Sequence, residues 1–496
     1  MDFPRGAVGR PCCLRGEEKS AESGAPHRLY SYIMKKIAII GGGAAGLTAA
    51  IAAGNELARL GAAAECEIVL FEADPERVGR SILATGNGRC NFSNAHIDPA
   101  CYRNADFVEA ALRSLARLSE VSEWGSVQPV GAYGASAQGR AQHAGAFEAP
   151  GRESTQSASA FEAPVQRFFS DLGLMWREEG EGRMYPVANK ASSVLDVLRA
   201  ALDVSGARVE FGKALRAIEA PARGKGRFHL RFSDGSIAHA EKVVLAVGGR
   251  GVSAVDTSSV IPCELTRPVL GPLATDSRIT RQLNNIRVKC AVSLERSGSL
   301  VAREEGELLF RDYGVSGVCV FNLSRFACEG DVLSIDFLPY MSAADRDAWL
   351  FARRKHLSAR LGENGQIAAE DVLRGAMLPQ VAQVLCKCAA IDPARPLSKK
   401  DVLALSRVIG GLRLTVRGIG DAKQCQVSRG GLSIAAFDPQ TMGAVRASGL
   451  FAAGEALDVD APCGGYNLHW AWSSGLLAGV FAARSAVSAD GEGEGE

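Results

Sequence analysis

Residues 35–40, Lys-Lys-Ile-Ala-Ile-Ile, form an apolar run that stops at Gly41-Gly42-Gly43 and resumes as an alanine-rich stretch from Ala44 to about Arg59. No other stretch constrains the fold as strongly. It reads as a buried strand, a glycine loop and a helix, followed by a second strand, Cys66 to Phe71, that ends at Glu72. Gly41 permits the tight turn out of the strand, Gly43 lets the backbone approach a pyrophosphate, and Gly46 lets the helix pack on the strand. The helix N-terminus offers free N–H groups to the anion. A lone glycine motif is weak evidence; the strand before it, the helix after it and the acidic residue closing the next strand supply the context that the chemistry needs. An acidic side chain there accepts hydrogen bonds from a ribose diol, so Glu72 fits the adenosine half of FAD or NAD. The expected fold class is α/β and Rossmann-like.

A chain of 496 residues predicts two to four domains and buries a large core. With 47% hydrophobic residues and a formal charge of +1, it has no global electrostatic commitment to nucleic acid or membrane. No apolar run approaches the ~20 residues that span a bilayer, and the N-terminus lacks the apolar core of a signal peptide. A cytoplasmic protein without membrane contact is expected. Thirteen cysteines, single apart from Cys12-Cys13 and Cys386-Lys387-Cys388, make neither a disulfide framework nor a zinc-type pair, and no metal site is expected.

Residues 1–33 are polar and without periodicity, a mobile tail or an over-extended start. The segments 79–81 and 85–94 alternate small residues with Asn, Arg and Thr. That suits a loop wrapping a polar ligand, and equally a solvated surface loop. An amphipathic helix is expected over 105–124. Residues 126–163 then shift to Gly, Ala, Ser, Gln and Glu, with Ala-Phe-Glu-Ala-Pro at 146–150 repeated at 160–164. Too few large apolar groups are present to offset ordering entropy, so a flexible insertion is expected. Helices are read from Phe168 and over 192–202, and strands at 175–177 and 208–218. A hairpin of Phe228 to Phe232 and Ile237 to Ala240 turns at Asp234-Gly235. Residues 242–249 form another buried strand running into glycines. No second strand, glycine loop and helix unit follows, so a nicotinamide reductant has no dedicated domain. Residues 265–340 read as strand-rich and 343–412 as helical, with Arg346, Arg353, Arg354, Lys355 and Arg360 on a solvated face. Residues 449–453 read as a strand, and a helix is expected over 471–483 behind the turn Gly464-Gly465-Tyr466-Asn467. A helix N-terminus there stabilises negative charge. Residues 486–496 are a Glu-Gly tail.

Gly79-Arg80 followed by Gly86-Asn87-Gly88-Arg89-Cys90-Asn91 resembles the "GRK...SGGGRCN" signature of the BaiN/YhiN-type flavoproteins. The resemblance continues at 182–187, 191–194, 306–310, 313–317, 449–460 and 463–468, and covers nearly everything from 34 to 485. Ser81 stands where the family usually has Lys, and Val247 where Thr is usual in the element 246–249. The resemblance implies a two-dinucleotide-binding-domain type of flavoprotein. Its FAD-binding domain would comprise residues 34–265 and 429–485, with an inserted β-plus-helical domain at 266–428 and disordered tails at 1–33 and 486–496. It assigns FAD contacts to Gly41, Gly43, Ala44, Ala45, Gly46, Glu72, Ala73, Arg80, Ser81, Thr85, Gly86, Asn87, Gly88, Arg89, Cys90 and Asn91. Leu215, Ala246, Gly248, Gly249, Gly454, Glu455, Asp458, Gly465, Tyr466 and Asn467 complete the set.

The implied activity is NAD(P)H-driven reduction of a C=C bond conjugated to a carbonyl, with NAD(P)H a transient reductant. BaiN-type members act on 3-oxo steroid-like bile acids and YhiN-type members on uracil in ribosomal RNA; an amine oxidase label is also attached to the family. A small-molecule substrate is preferred, with ribosomal RNA as the alternative and no stable protein partner. Tyr466 and Cys463 are candidate proton donors, because each lies in the turn expected near the flavin ring and carries a titratable hydrogen. His469, close by in sequence, reads as a packed residue.

Overall fold

The computed structural model describes residues 34–121, 161–221, 226–361, 367–392 and 397–488. The tail at 1–33, most of the expected insertion at 126–163 and the end of the C-terminal tail lie outside these. Five parallel strands form one sheet in the order Leu450–Ala452, Lys242–Leu245, Lys35–Ile40, Cys66–Phe71, Arg208–Glu210. Parallel strands covered on both faces need near-continuous apolar runs, and Ile37, Ile39 and Ile40 are buried to within 1% of complete. Each such side chain contributes about 1.5–3 kcal/mol relative to exposure.

The helix Ala44–Arg59 follows the first strand, as read, and the C-terminal helix Tyr466–Ser488 packs against it. Glycines permit this contact. An added Cβ at Gly475 would lie 2.5 Å from the Ala45 carbonyl oxygen, and one at Gly479 would lie 2.3 Å from that of Ala49. The helices therefore meet backbone to backbone, which holds the start of the C-terminal helix beside the glycine loop.

The inserted part is a closed antiparallel barrel of six strands: Leu273–Thr275, Gly314–Ser316, Ser299–Arg311, Arg287–Arg296, Val332–Asp336 and Leu412–Ile419. Helices Ala343–Leu361, Pro379–Cys388 and Lys399–Ile409 lie between its last two strands in sequence. The barrel thus closes only after the helical stretch, where Leu412, Leu414 and Val416 alternate inward. A two-stranded ribbon, Cys263–Val269 with Val427–Leu432, leads into and out of this part.

Several expectations are corrected. Residues 208–218 are two strands, because Gly212 (φ 70°) turns the chain: Arg208–Glu210 edges the parallel sheet and Leu215–Glu219 joins the Phe228–Phe232 hairpin in a separate sheet. The C-terminal helix starts at Tyr466 and ends at Ser488, so residues 486–488 are helical. Glu162 is fully buried, and helix Ala163–Asp171 begins within the stretch read as an insertion. Arg346 is also buried; its Nε donates to the Ser406 carbonyl, so it does not belong to a solvated helix face.

Candidate functional site

The C-terminal ends of the parallel strands converge on the glycine loop. Gly41 sits at φ 105°, and a Cβ there would fall 2.5 Å from the Ala246 carbonyl oxygen; one at Gly46 would fall 1.7 Å from that of Gly41. Only glycine fits either place. Gly43 opens the helix Ala44–Arg59 with no side-chain cap, which leaves the first-turn N–H groups of Ala44, Ala45 and Gly46 for an external acceptor. Beside them, the Ser81 hydroxyl oxygen lies 3.4 Å from where a Gly43 Cβ would be.

Glu72 closes the second strand as read. Its carboxylate accepts from the Gly42 N–H at 2.6 Å and from the Asp74 N–H at 2.7 Å. The turn at Gly212 clasps this corner from the other side, with Lys213 N–H donating to the Glu72 carbonyl at 2.7 Å, and delivers buried Leu215 two residues later. Ala73 is exposed beside it. Arg80 points to solvent, 3.3 Å from Asp74.

The loop from Thr85 to Asn94 is held in unusual backbone states. Gly86, Asn87, Gly88 and Cys90 all have positive φ, between 55° and 82°. Such strain persists only where the surroundings enforce it. The Thr85 hydroxyl donates to the Ile82 carbonyl and the Met184 N–H donates to Asn91 Oδ1. Arg89 is committed to protein groups: its guanidinium pairs with Glu179 at 2.5 Å and stacks 4.0 Å from the Tyr185 ring centroid. Cys90 is completely buried, which pushes its thiol up to about 11.

Two tryptophans of the C-terminal helix fasten the remaining loops. Trp470 Nε1 donates to the Gly454 carbonyl at 3.1 Å, and Trp472 Nε1 donates to that of Phe92 at 2.8 Å. Gly454 N–H in turn donates to the Ser474 hydroxyl. Gly248 sits at φ 71°, and a Cβ on Gly249 would fall 2.6 Å from that of Ser428. One on Gly465 would fall 2.2 Å from the Ser93 carbonyl oxygen. The loops carrying residues 41–46, 79–94, 246–249, 454–455 and 463–467 therefore line one region.

Two further expected contact residues are, like Arg89, otherwise engaged. Asp458 pairs with Arg103 at 2.8 Å and accepts the Gly430 N–H, while the Asn467 side chain closes its own turn on the backbone of Ala461. Glu455 is half-buried, and burial pushes its carboxyl up to about 7 against the pull of the Ser428 N–H and Arg250. Burial also pushes the Cys463 thiol up to about 11 and the Tyr466 phenol up to about 12. The Tyr466 hydroxyl donates to the His96 carbonyl at 3.1 Å. His469 is fully buried, with Nδ1 3.0 Å from the Ser93 hydroxyl, and burial lowers it to about 3.

Sequence reasoning missed Asn94 and Asn322. Asn94 Nδ2 donates to the carbonyls of Gly464 and Glu181, both at 2.9 Å. Asn94 closes the same Asn-rich segment, so a signal was present. Asn322, in the inserted part, accepts the Cys463 N–H at 2.9 Å and donates to Glu304 at 3.0 Å; nothing local marks it. Among the described residues every cysteine is a free thiol, no group of His, Cys, Asp and Glu side chains forms a metal site, and no helix is long and apolar enough to cross a membrane.

A parallel sheet, a glycine cradle that a Cβ would fill, an uncapped helix start and a carboxylate at the next strand end together define a Rossmann-like dinucleotide-binding fold. The chain belongs to the HI0933-like family: the HI0933-like protein Rossmann domain matches residues 148–481. It is 29% identical over 468 residues to the 3-dehydro-bile acid delta(4,6)-reductase of Clostridium scindens, covering 91% of this chain and 99% of that protein. It is 24% identical over 466 residues to the ribosomal RNA dihydrouridine synthase of Escherichia coli, covering 88% and 95%. The enzyme of the same name from Haemophilus influenzae is 24% identical over 457 residues with the same coverage.

Proposed function

We propose that this enzyme reduces a C=C bond conjugated to a carbonyl, with NAD(P)H as a transient reductant and a 3-oxo steroid or bile-acid-like molecule as substrate. The observation that carries the reading is the likeness to a bile acid delta(4,6)-reductase along 99% of that relative's length. The dihydrouridine synthases support the reaction class, since saturating uracil is also reduction of a C=C bond conjugated to a carbonyl.

Residues 41–46 and Glu72 would hold the pyrophosphate and ribose of FAD, and the turns at 454–455 and 464–466 would meet its other end. Bound there, FAD supplies the two-electron chemistry. The protein supplies position and a proton. Cys463 and Tyr466 both keep their hydrogens at neutral pH, since burial raises each well above it. Cys463 is the freer of the two: its thiol contacts Gln426 Oε1 only distantly, at 3.9 Å, whereas the Tyr466 hydroxyl is bonded to His96. Asn322 and Asn94 hold the two ends of the Cys463-Gly464 turn, so the thiol is presented by a fixed backbone. The described residues contain one parallel sheet, and NAD(P)H would share the substrate cleft.

The test is product analysis by mass spectrometry after incubating the flavin-loaded enzyme and NAD(P)H with a Δ4-3-oxo steroid acid, or with unmodified ribosomal RNA. Two hydrogens gained by the steroid support the reading. A gain on RNA alone transfers the protein to RNA modification, and a gain on neither refutes the reductase assignment.

A further inference from the structure

Two guanidinium groups from opposite strands of the ribbon meet at one carbonyl. The Arg325 carbonyl oxygen accepts from Arg267 Nη2 at 3.0 Å and from Arg429 Nη1. Arg267 and Arg429 are register partners across the antiparallel strands Cys263–Val269 and Val427–Leu432. Like charges directly opposed in this way are destabilising.

Nearby carboxylates do not balance them. Asp460, fully buried, takes Arg325 Nε on Oδ1 at 2.7 Å and Arg429 on both oxygens, at 2.7 and 2.8 Å. Asp458 is taken by Arg103 and the Gly430 N–H. Among the described residues no carboxylate lies within ion-pair distance of Arg267, and its guanidinium donates to nothing beyond the Arg325 carbonyl. Arg103, Arg325 and Arg429 thus take up the two aspartates, and Arg267 pairs with neither. Arg267 is exposed along the ribbon, yet partial burial of its guanidinium, and then the like charge of Arg429, pulls it below the ordinary arginine value. The arrangement adjoins the cofactor loops, since a Cβ on Gly431, two residues beyond Arg429, would fall 2.7 Å from the Ala456 carbonyl oxygen.

We propose that Arg267, backed by Arg429, is a docking site for one oxyanion of a ligand, a carboxylate or a phosphate. A guanidinium with an unused edge presents parallel N–H donors that match either group. An incoming anion would also relieve the opposed positive charges. Two sources share this chemistry: the carboxylate of an acidic substrate, and the phosphate that distinguishes NADPH from NADH.

Inorganic phosphate is the first probe. The flavin-loaded enzyme is titrated with phosphate at ionic strength held constant with chloride, and thermal midpoints are recorded for wild type and Arg267→Gln. This reads binding without turnover, so its failure is distinct from failure of the reductase reading. The wild-type midpoint is expected to rise with phosphate. The variant should need about tenfold more phosphate for the same rise, the loss of one charge-assisted contact. In phosphate-free buffer it should be at least as stable as wild type. Arg267→Lys, which keeps the charge and loses the fork, should respond between the two. An identical phosphate response in all three proteins, or none in wild type, overturns the proposal. With the site supported, a lowered NADPH-over-NADH preference in Arg267→Gln assigns it to the nucleotide. A lowered preference for a steroid acid over its methyl ester assigns it to the substrate.

Discussion

The Asn322 side-chain carbonyl accepts the Cys463 N–H at 2.9 Å, joining helix Val318–Ser324 of the inserted part to the turn that opens the C-terminal helix. Asn322 also donates to Glu304, so its amide orientation is fixed from both ends. Replacing it with leucine leaves that N–H without its partner, a loss of about 1–3 kcal/mol. Asn322→Leu is expected to lower kcat about tenfold or more with flavin content unchanged. Steady-state kinetics beside the flavin-to-protein absorbance ratio checks this; a normal kcat removes Asn322 from the positioning role.

Gly46→Ala puts a methyl 1.7 Å from the Gly41 carbonyl oxygen by ideal geometry. Helix and loop must separate, and the anion cradle with them. The purified variant is expected to be soluble and largely colourless, and a normal flavin spectrum would contradict the assignment of this loop to the cofactor.

Trp470→Phe keeps most of the buried ring and removes the indole donor to the Gly454 carbonyl. The Gly454 carbonyl keeps only the longer bond from the Leu457 N–H, at 3.3 Å, and losing the indole donor costs about 1 kcal/mol. Urea unfolding should show that loss, and equilibrium dialysis should show weaker flavin binding, since the freed loop carries Glu455.

His469 gives the protein an acid-sensitive element. Its folded value is about 3, below the ordinary 6.5, so between those pH values the unfolded chain binds a proton that the native chain does not. Stability contributed by the neutral ring is complete above pH 6.5 and is lost as pH falls toward 3; at pH 5 the loss is ~2 kcal/mol. His469→Gln should flatten the fall in stability between pH 6.5 and 5, measured by urea unfolding. An unchanged slope would refute the buried neutral imidazole.

The first strand, glycine loop, helix and second strand were legible because each is specified locally: an apolar run, glycines at fixed offsets and an acidic end residue. The hairpin at Asp234-Gly235 was legible for the same reason. Gly212 breaking 208–218 was not, since its effect depends on the loop it clasps at Glu72 and Asp74. The closing strand Leu412–Ile419 was hidden by the distance to its partner Leu273–Thr275, although its alternation was visible. Long-range partners account for the site residues that were missed: Asn322 lies 141 positions from Cys463, and Asn94 lies 370 from Gly464. Arg267 and Arg429 carry no motif, and only the ribbon register sets them opposite each other.

The most direct measurement is anaerobic reduction of the flavin-loaded enzyme by NADPH and by NADH, followed by addition of a Δ4-3-oxo steroid in the absence of oxygen. Bleaching of the flavin by one of the nicotinamides, and return of its colour with one equivalent of steroid reduced, is the expected result. A flavin that neither nicotinamide bleaches, or that stays bleached with the steroid and with ribosomal RNA alike, would contradict the assignment of this chain as a C=C reductase.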